Sequence, residues 1–225
     1  MLEKLQYLTV ARNEVSGPIP VSLFAIRTLG TLDVSFNSIT GAIPPAVESS
    51  ASLNSLNVES NNMVGRLTKS IGRVSNLGYL NVRSNGFVSE LPIELFDLQN
   101  MRHLDVGDNQ FTGSVPDEIS KLSKLEVLSL GPNQFTGSIP LGIGSLSLLT
   151  YLSLSEIEAL SGRIPAEFGF NLNNLVNIDI SKTSVSGNID TSFGSLPSLK
   201  SLNFSKNQLR SVIPSELGNL PNLGK

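Results

Sequence analysis

The sequence predicts a solenoid, a stack of short strand-and-return units, and three observations carry that prediction. Asparagine recurs every 24 residues, at Asn13, Asn37, Asn61, Asn85, Asn109 and Asn133, and again at Asn207 after two one-residue insertions. Aliphatic residues keep fixed offsets around each asparagine, and a glycine and a proline follow at fixed distances. A period of this length marks one supersecondary unit repeated many times, each burying its apolar side against the next.

The strand comes first in each unit. In the fifth, Met101, Leu104 and Val106 precede Asn109; in the sixth, Leu125, Leu128 and Leu130 precede Asn133. The Leu-x-Leu core alternates apolar with polar, the period of a half-buried strand, so Leu104 and Val106 point inward while His103 and Asp105 point out. Stacked units set these strands side by side in a parallel sheet about 4.8 Å apart. The asparagine follows where the chain leaves the sheet. Its amide offers donors and an acceptor to backbone groups the turn leaves unpaired, so a column of them can bridge unit to unit.

Glycine comes next, at Gly17, Gly41, Gly65, Gly113, Gly137, Gly162 and Gly187, where a backbone conformation that side chains oppose is expected. Prolines close the return at Pro20, Pro44, Pro92, Pro116, Pro140, Pro165 and Pro214, each fixing one backbone angle on the convex wall. The full unit reads L-x-x-L-x-L-x-x-N-x-L-x-G-x-I-P-x-x-L-x-x-L.

This pattern resembles the leucine-rich repeat family, and its Gly-x-Ile-Pro block resembles the plant-type subclass of receptor kinase ectodomains, receptor-like proteins and polygalacturonase inhibitors. The resemblance covers essentially the whole chain. It implies an α/β solenoid: a right-handed leucine-rich repeat superhelix with its parallel sheet on the concave face and short 3-10 or irregular returns on the convex face. Residues 1–225 are expected to form a single array of about nine units.

Composition narrows the functional classes. A formal net charge of -3 offers no basic field for a nucleic acid, and no apolar run approaches the roughly 18 residues of a membrane helix. There is no cysteine, which removes disulfides and thiolate metal sites. The stretch from Met1 to Leu8 has no cationic leader followed by an apolar core, so the protein is expected either to be intracellular or to lack its beginning. Secreted members of the resembled subclass carry paired cysteines in caps. Here the repeats begin at Leu2 and stop at Leu223, so caps are expected to be missing at both ends, with membrane tethering through absent flanks. Asn203, in Asn203-Phe204-Ser205, is the single glycosylation acceptor pattern.

Candidate binding residues emerge from the outward columns. The first reads Tyr7, Thr31, Ser55, Tyr79, His103, Val127, Tyr151, Asn177 and Ser201, and it holds all three tyrosines and the only histidine. Exposed rings bury large area at small entropic cost when a partner docks. They also serve simply as good strand residues, and Tyr79 and His103, neighbours in adjacent units, could be stacked on each other alone. The second column, from Thr9 through Asn81 and Asp105 to Asn203, is wholly polar and is expected to read a peptide backbone or a sugar. The third, including Arg83, Gly107 and Gly131, is mostly small and is expected to leave room for a ligand. Tyr7, Tyr79, Asn81, Arg83, His103, Asp105, Asp108 and Tyr151 are therefore the candidate ligand-binding residues of the concave face.

The seventh unit breaks the frame: Ile157 stands where asparagine belongs, an extra residue follows, and a second lies near Phe170. The eighth then has Thr183 and Asp190 in place of Asn and Pro. A bend in the solenoid is expected here ahead of a specificity loop.

Catalysis is not expected. Asp33, Asp105 and Asp179 share a column but lie three units apart, roughly 14 Å by strand spacing, too far for paired glycosidase carboxylates. No metal site, nucleophilic triad or phosphate loop is legible, and no cofactor is implied. The expected function is a non-catalytic recognition module binding a peptide, protein or carbohydrate, part of a receptor-like protein or receptor kinase. The alternatives are an enzyme inhibitor or a structural or surface repeat protein. Its expected setting is extracellular or at the cell surface within a longer protein, with a cytoplasmic one as the alternative.

Overall fold

A computed structural model describes residues 4–210 and 212–224. Leu2, where the repeats begin, and Met1 to Glu3 of the leader stretch lie outside the described residues. Each Leu-x-Leu core forms a three-residue strand, and nine of these make one parallel sheet in strict chain order, from Tyr7–Thr9 to Ser201–Asn203. Register holds throughout, with Tyr79 opposite His103 and Leu80 opposite Leu104. The inward leucines from Leu32 to Leu152 are fully buried, and they join one continuous core along the array.

The returns are five-residue 3-10 helices such as Asp117–Lys121, each entered from an extended residue that is a proline in most units. Between strand and return the chain forms a further short strand in every unit, as at Asn62–Arg66 and Ser184–Gly187. These build two lateral sheets, of five and of four strands. The 3-10 returns are those expected from the sequence, whereas the second strand of each unit has no counterpart in that expectation. The signal is weak because at most one residue of each such strand is buried in the core, as Met63 is, and none is in Ser16–Pro18 or Gly137–Ser138.

The asparagine column is the seam between units. Asn109 donates through Nδ2 to the carbonyl of Val82 in the preceding unit (3.0 Å) and to that of Val106 in its own (3.2 Å), while its Oδ1 accepts the Phe87 N–H (3.0 Å). Asn37, Asn61, Asn85 and Asn133 repeat this three-way pattern. Beneath the seam, Phe87, Phe111 and Phe135 stack nearly parallel with ring centroids 6.2 Å apart. The seven glycines of the glycine column all sit at φ between 76° and 90°, and Ser89 occupies the same position in the fourth unit at φ 77°.

The irregular unit is absorbed locally. Ile157 is fully buried and replaces a polar bridge with apolar packing. The strands Tyr151–Ser153 and Asn177–Asp179 on either side remain in register. The extra residue near Phe170 converts the return into an α-helix, Glu167–Asn171. In the eighth unit Thr183 takes over the seam, donating its hydroxyl to Asn207 Oδ1 at 2.6 Å. Asp190 replaces proline by accepting the Ser192 N–H at 2.9 Å, and those hydrogen bonds hold its carboxyl below the ordinary aspartate range.

Candidate functional site

The concave columns place the predicted residues as follows. Tyr79 and His103 stand opposite each other on adjacent strands, and their rings stack with centroids 4.3 Å apart and planes 16° from parallel. They line a shallow groove of about 510 Å³ at the edge where the strands begin. Burial raises the Tyr79 hydroxyl pKa and lowers that of His103, the latter opposed by the Asp105 charge. His103 Nε2 is buried without a hydrogen-bond partner. The structure therefore shows the mutual stacking that the sequence left open, together with an unpaired nitrogen beside it.

Arg83 reaches across the sheet. Its guanidinium lies 3.7 Å from Asp105 Oδ2 and 3.5 Å from Ser129 Oγ, two units away. It also covers Gly107, where a Cβ would sit 2.7 Å from the Arg83 Nη1. Thus Tyr79, Asn81, Arg83, His103 and Asp105 come together. Tyr7, exposed at 72%, lies three strands from Tyr79, and Tyr151, 39% exposed, is separated from His103 by Val127. Asp108 stands apart on the turn after the strand, where its Oδ2 accepts the Ser84 hydroxyl at 2.8 Å.

Two expectations about the columns are corrected. The second column is not an open row of ligand-reading groups. Asp33, Asn57, Asn81, Asp105, Asp179 and Asn203 each turn Oδ1 back to accept the N–H two residues on. Such Asx turns end the strand and engage one acceptor oxygen of each of these six side chains. Asn81 also donates to Glu59 Oε2 at 3.0 Å and is only 5% exposed. The glycines of the third column do not open space for a ligand. A Cβ on Gly131 would lie 1.8 Å from the Ser155 carbonyl oxygen, so the backbone of the next unit already fills that space.

The sequence reading missed the other walls of the groove: Asn54, Asn76, Gly78, Asn100, Arg102 and Glu126. Their signal is the residue before each Leu-x-Leu strand, where Arg102 pairs with Glu126 one unit on. Asn76 and Asn100, also one unit apart, each donate to a carbonyl of the preceding unit, Ala51 O at 2.7 Å and Ser75 O at 3.0 Å. Among the described residues no three His, Asp or Glu side chains gather as metal ligands, and no helix is long and apolar enough to cross a membrane.

An aligned strand ladder, an asparagine seam and a glycine-proline return define the leucine-rich repeat solenoid. The family models agree: one leucine-rich repeat model matches residues 75–135, and another matches 28–50 and 198–220. The chain is a leucine-rich repeat protein of the plant-type subclass. Among solved structures it resembles the ectodomain of the membrane receptor kinase GASSHO1/SCHENGEN3 from Arabidopsis thaliana, solved with CASPARIAN STRIP INTEGRITY FACTOR 2. That match has a TM-score of 0.96 and 38% identity, covering 99% of this chain and 26% of that one. The Arabidopsis receptor kinase HAESA, solved with the peptide hormone IDA and the co-receptor SERK1, matches with a TM-score of 0.93 and 26% identity over 98% of this chain and 37% of that one. A plant ice-binding protein matches less closely, with a TM-score of 0.65 and 25% identity over 84% of this chain and 67% of that one. The chain thus spans about a quarter to two fifths of the receptor structures. No curated protein matches it.

Proposed function

We propose that this array is a non-catalytic recognition module that binds a peptide or protein segment on its concave face, within the extracellular part of a receptor-like protein. The observation that carries the reading is the Tyr79–His103 stack at the rim of the edge groove, with amides of Asn54, Asn76 and Asn100 around it. Flat rings supply apolar area at small entropic cost, and the Asn76 and Asn100 amides, each spending one N–H on the preceding unit, keep a second for an extended backbone. Likeness to a receptor kinase solved with a peptide hormone supports the same reading.

The binding residues proposed are Tyr79, His103 and Arg83 at the centre, with Asp105 holding Arg83 and Tyr7, Tyr151, Asn81 and Asp108 extending or supporting the surface. Because the strands are fixed by the core, little ordering is required when a ligand docks. The groove is lined by a single carboxylate, that of Glu126, where glycoside hydrolysis needs a facing pair, which supports recognition over that chemistry. The test is selection of binders from a displayed random-peptide library on the purified chain, followed by Tyr79→Ala and His103→Ala. Loss of binding of roughly tenfold or more in each supports the reading; unchanged affinity in both overturns the assignment of this groove.

A second reading, a surface-acting repeat protein, draws on the likeness to the ice-binding structure. Thermal hysteresis in a solution of the purified chain would favour it, and normal freezing at every concentration would remove it.

A further inference from the structure

On the second lateral sheet, away from the concave face, the Arg163 side chain and the Arg210 backbone meet at one glycine. The Arg163 side chain lies along Gly187, where a Cβ would stand 3.2 Å from Arg163 Cγ and 3.6 Å from its Nε. Arg210, one unit further on, donates its backbone N–H to the Gly187 carbonyl at 2.7 Å. Both arginines line one groove of about 370 Å³, together with Ser186, Gly187 and Gln208. None of the ion pairs among the described residues includes either guanidinium. Two like charges held on one groove repel, so the site as built favours an incoming anion.

The charge continues along the sheet. Ser184 and Ser186, alternate residues of the strand Ser184–Gly187 and so about 7 Å apart, line neighbouring grooves. The neighbour is lined by Glu158, Lys182, Thr183, Ser184 and Lys206. Lys182 is engaged with Glu156 at 2.7 Å, while Lys206 has no ion pair among the described residues. Neither groove is lined by an aliphatic or aromatic side chain. Peptide sites are anchored by apolar or aromatic pockets, whereas guanidinium, ammonium, hydroxyl and amide groups suit an acidic sugar chain.

We propose that Arg163 and Arg210, extended by Lys206, form a second binding site, distinct from the concave groove, for a linear anionic polysaccharide bearing carboxylate or sulfate groups. The arginine forks would take one oxyanion each or share one between them, and Gln208 and Ser186 would meet its hydroxyls. The chain as a whole is acidic, at a formal net charge of -3, so such binding would be local to this face.

Titration calorimetry on the purified chain tests it with three probes: a polygalacturonate oligosaccharide, sulfated dextran and neutral dextran. Binding of either charged probe, weakening as salt is raised and absent for neutral dextran, is the expected result. Preference between the two charged probes identifies the group as carboxylate or sulfate. The double variant Arg163→Gln/Arg210→Gln should lose roughly tenfold or more in affinity. The double variant Lys121→Gln/Lys124→Gln, on the return of the fifth unit, should bind as the parent does. An Arg163→Lys/Arg210→Lys variant, which keeps both charges, guards against misfolding and should retain part of the binding. Equal affinity in the arginine-to-glutamine variant, or equal binding of neutral dextran, overturns the proposal. Because Tyr79 and His103 are untouched, failure here leaves the concave-face reading intact.

Discussion

Replacing Asn109 by alanine should destabilise the array far more than replacing Asn13, although both occupy the same position in the repeat. Asn109 bridges two units. Its loss leaves the Phe87 N–H without the Oδ1 acceptor 3.0 Å away, and an orphaned buried donor costs about 1–3 kcal/mol. The Val82 carbonyl keeps a bond from Asn85 at 3.2 Å, so losing the Asn109 donor there costs only the net worth of one hydrogen bond, about 1 kcal/mol. The sum is about 2–4 kcal/mol. Asn13, by contrast, is exposed and its Nδ2 bonds only to Val10 O and Ala11 O of its own unit, so Asn13→Ala should cost about 1 kcal/mol or less. Urea unfolding followed by far-ultraviolet circular dichroism would read the difference as a shift in midpoint. Equal shifts for the two variants would refute the claim that the column works by joining neighbouring units.

Other substitutions probe the remaining columns. Ser89→Gly should stabilise the protein by about 1 kcal/mol in the same unfolding assay, because serine at φ 77° carries a Cβ where seven other units have glycine. Gly131→Ala should destabilise by roughly 2–3 kcal/mol or more, since its Cβ would have to displace the Ser155 carbonyl. His103, the sole histidine, should titrate below 6.5 by proton NMR. With the folded pKa depressed by burial, the unfolded chain binds the extra proton first, so stability should fall as pH drops through 6.5 toward the folded value. His103→Gln should flatten that segment of the pH profile.

The solenoid, its register and its glycine conformations were legible because each rests on many copies of one unit. A single misread position is outvoted by eight others. Side-chain reach was not legible in the same way. Arg83 spans from its own strand to Ser129, and nothing in a linear repeat says whether an outward arginine extends to solvent or lies along the sheet. The polar second column was read as available surface because an Asx turn is made by the same residue types that bind ligands; only the Oδ1-to-N–H distances separate the two uses. The emptiness of the third column had a similar double meaning: Gly107 and Gly131 are small because neighbouring groups lie against them. Ile157 showed the interruption correctly as a missing seam residue, yet the α-helix Glu167–Asn171 that takes up the second extra residue depends on local winding that the period does not encode.

The most direct test of the concave-face account is the His103 imidazole signal during titration with a peptide selected from the displayed library. Docking against the stacked rings would shift or broaden that resonance in step with binding measured by calorimetry. A tightly bound peptide that leaves the His103 signal unmoved would contradict the account.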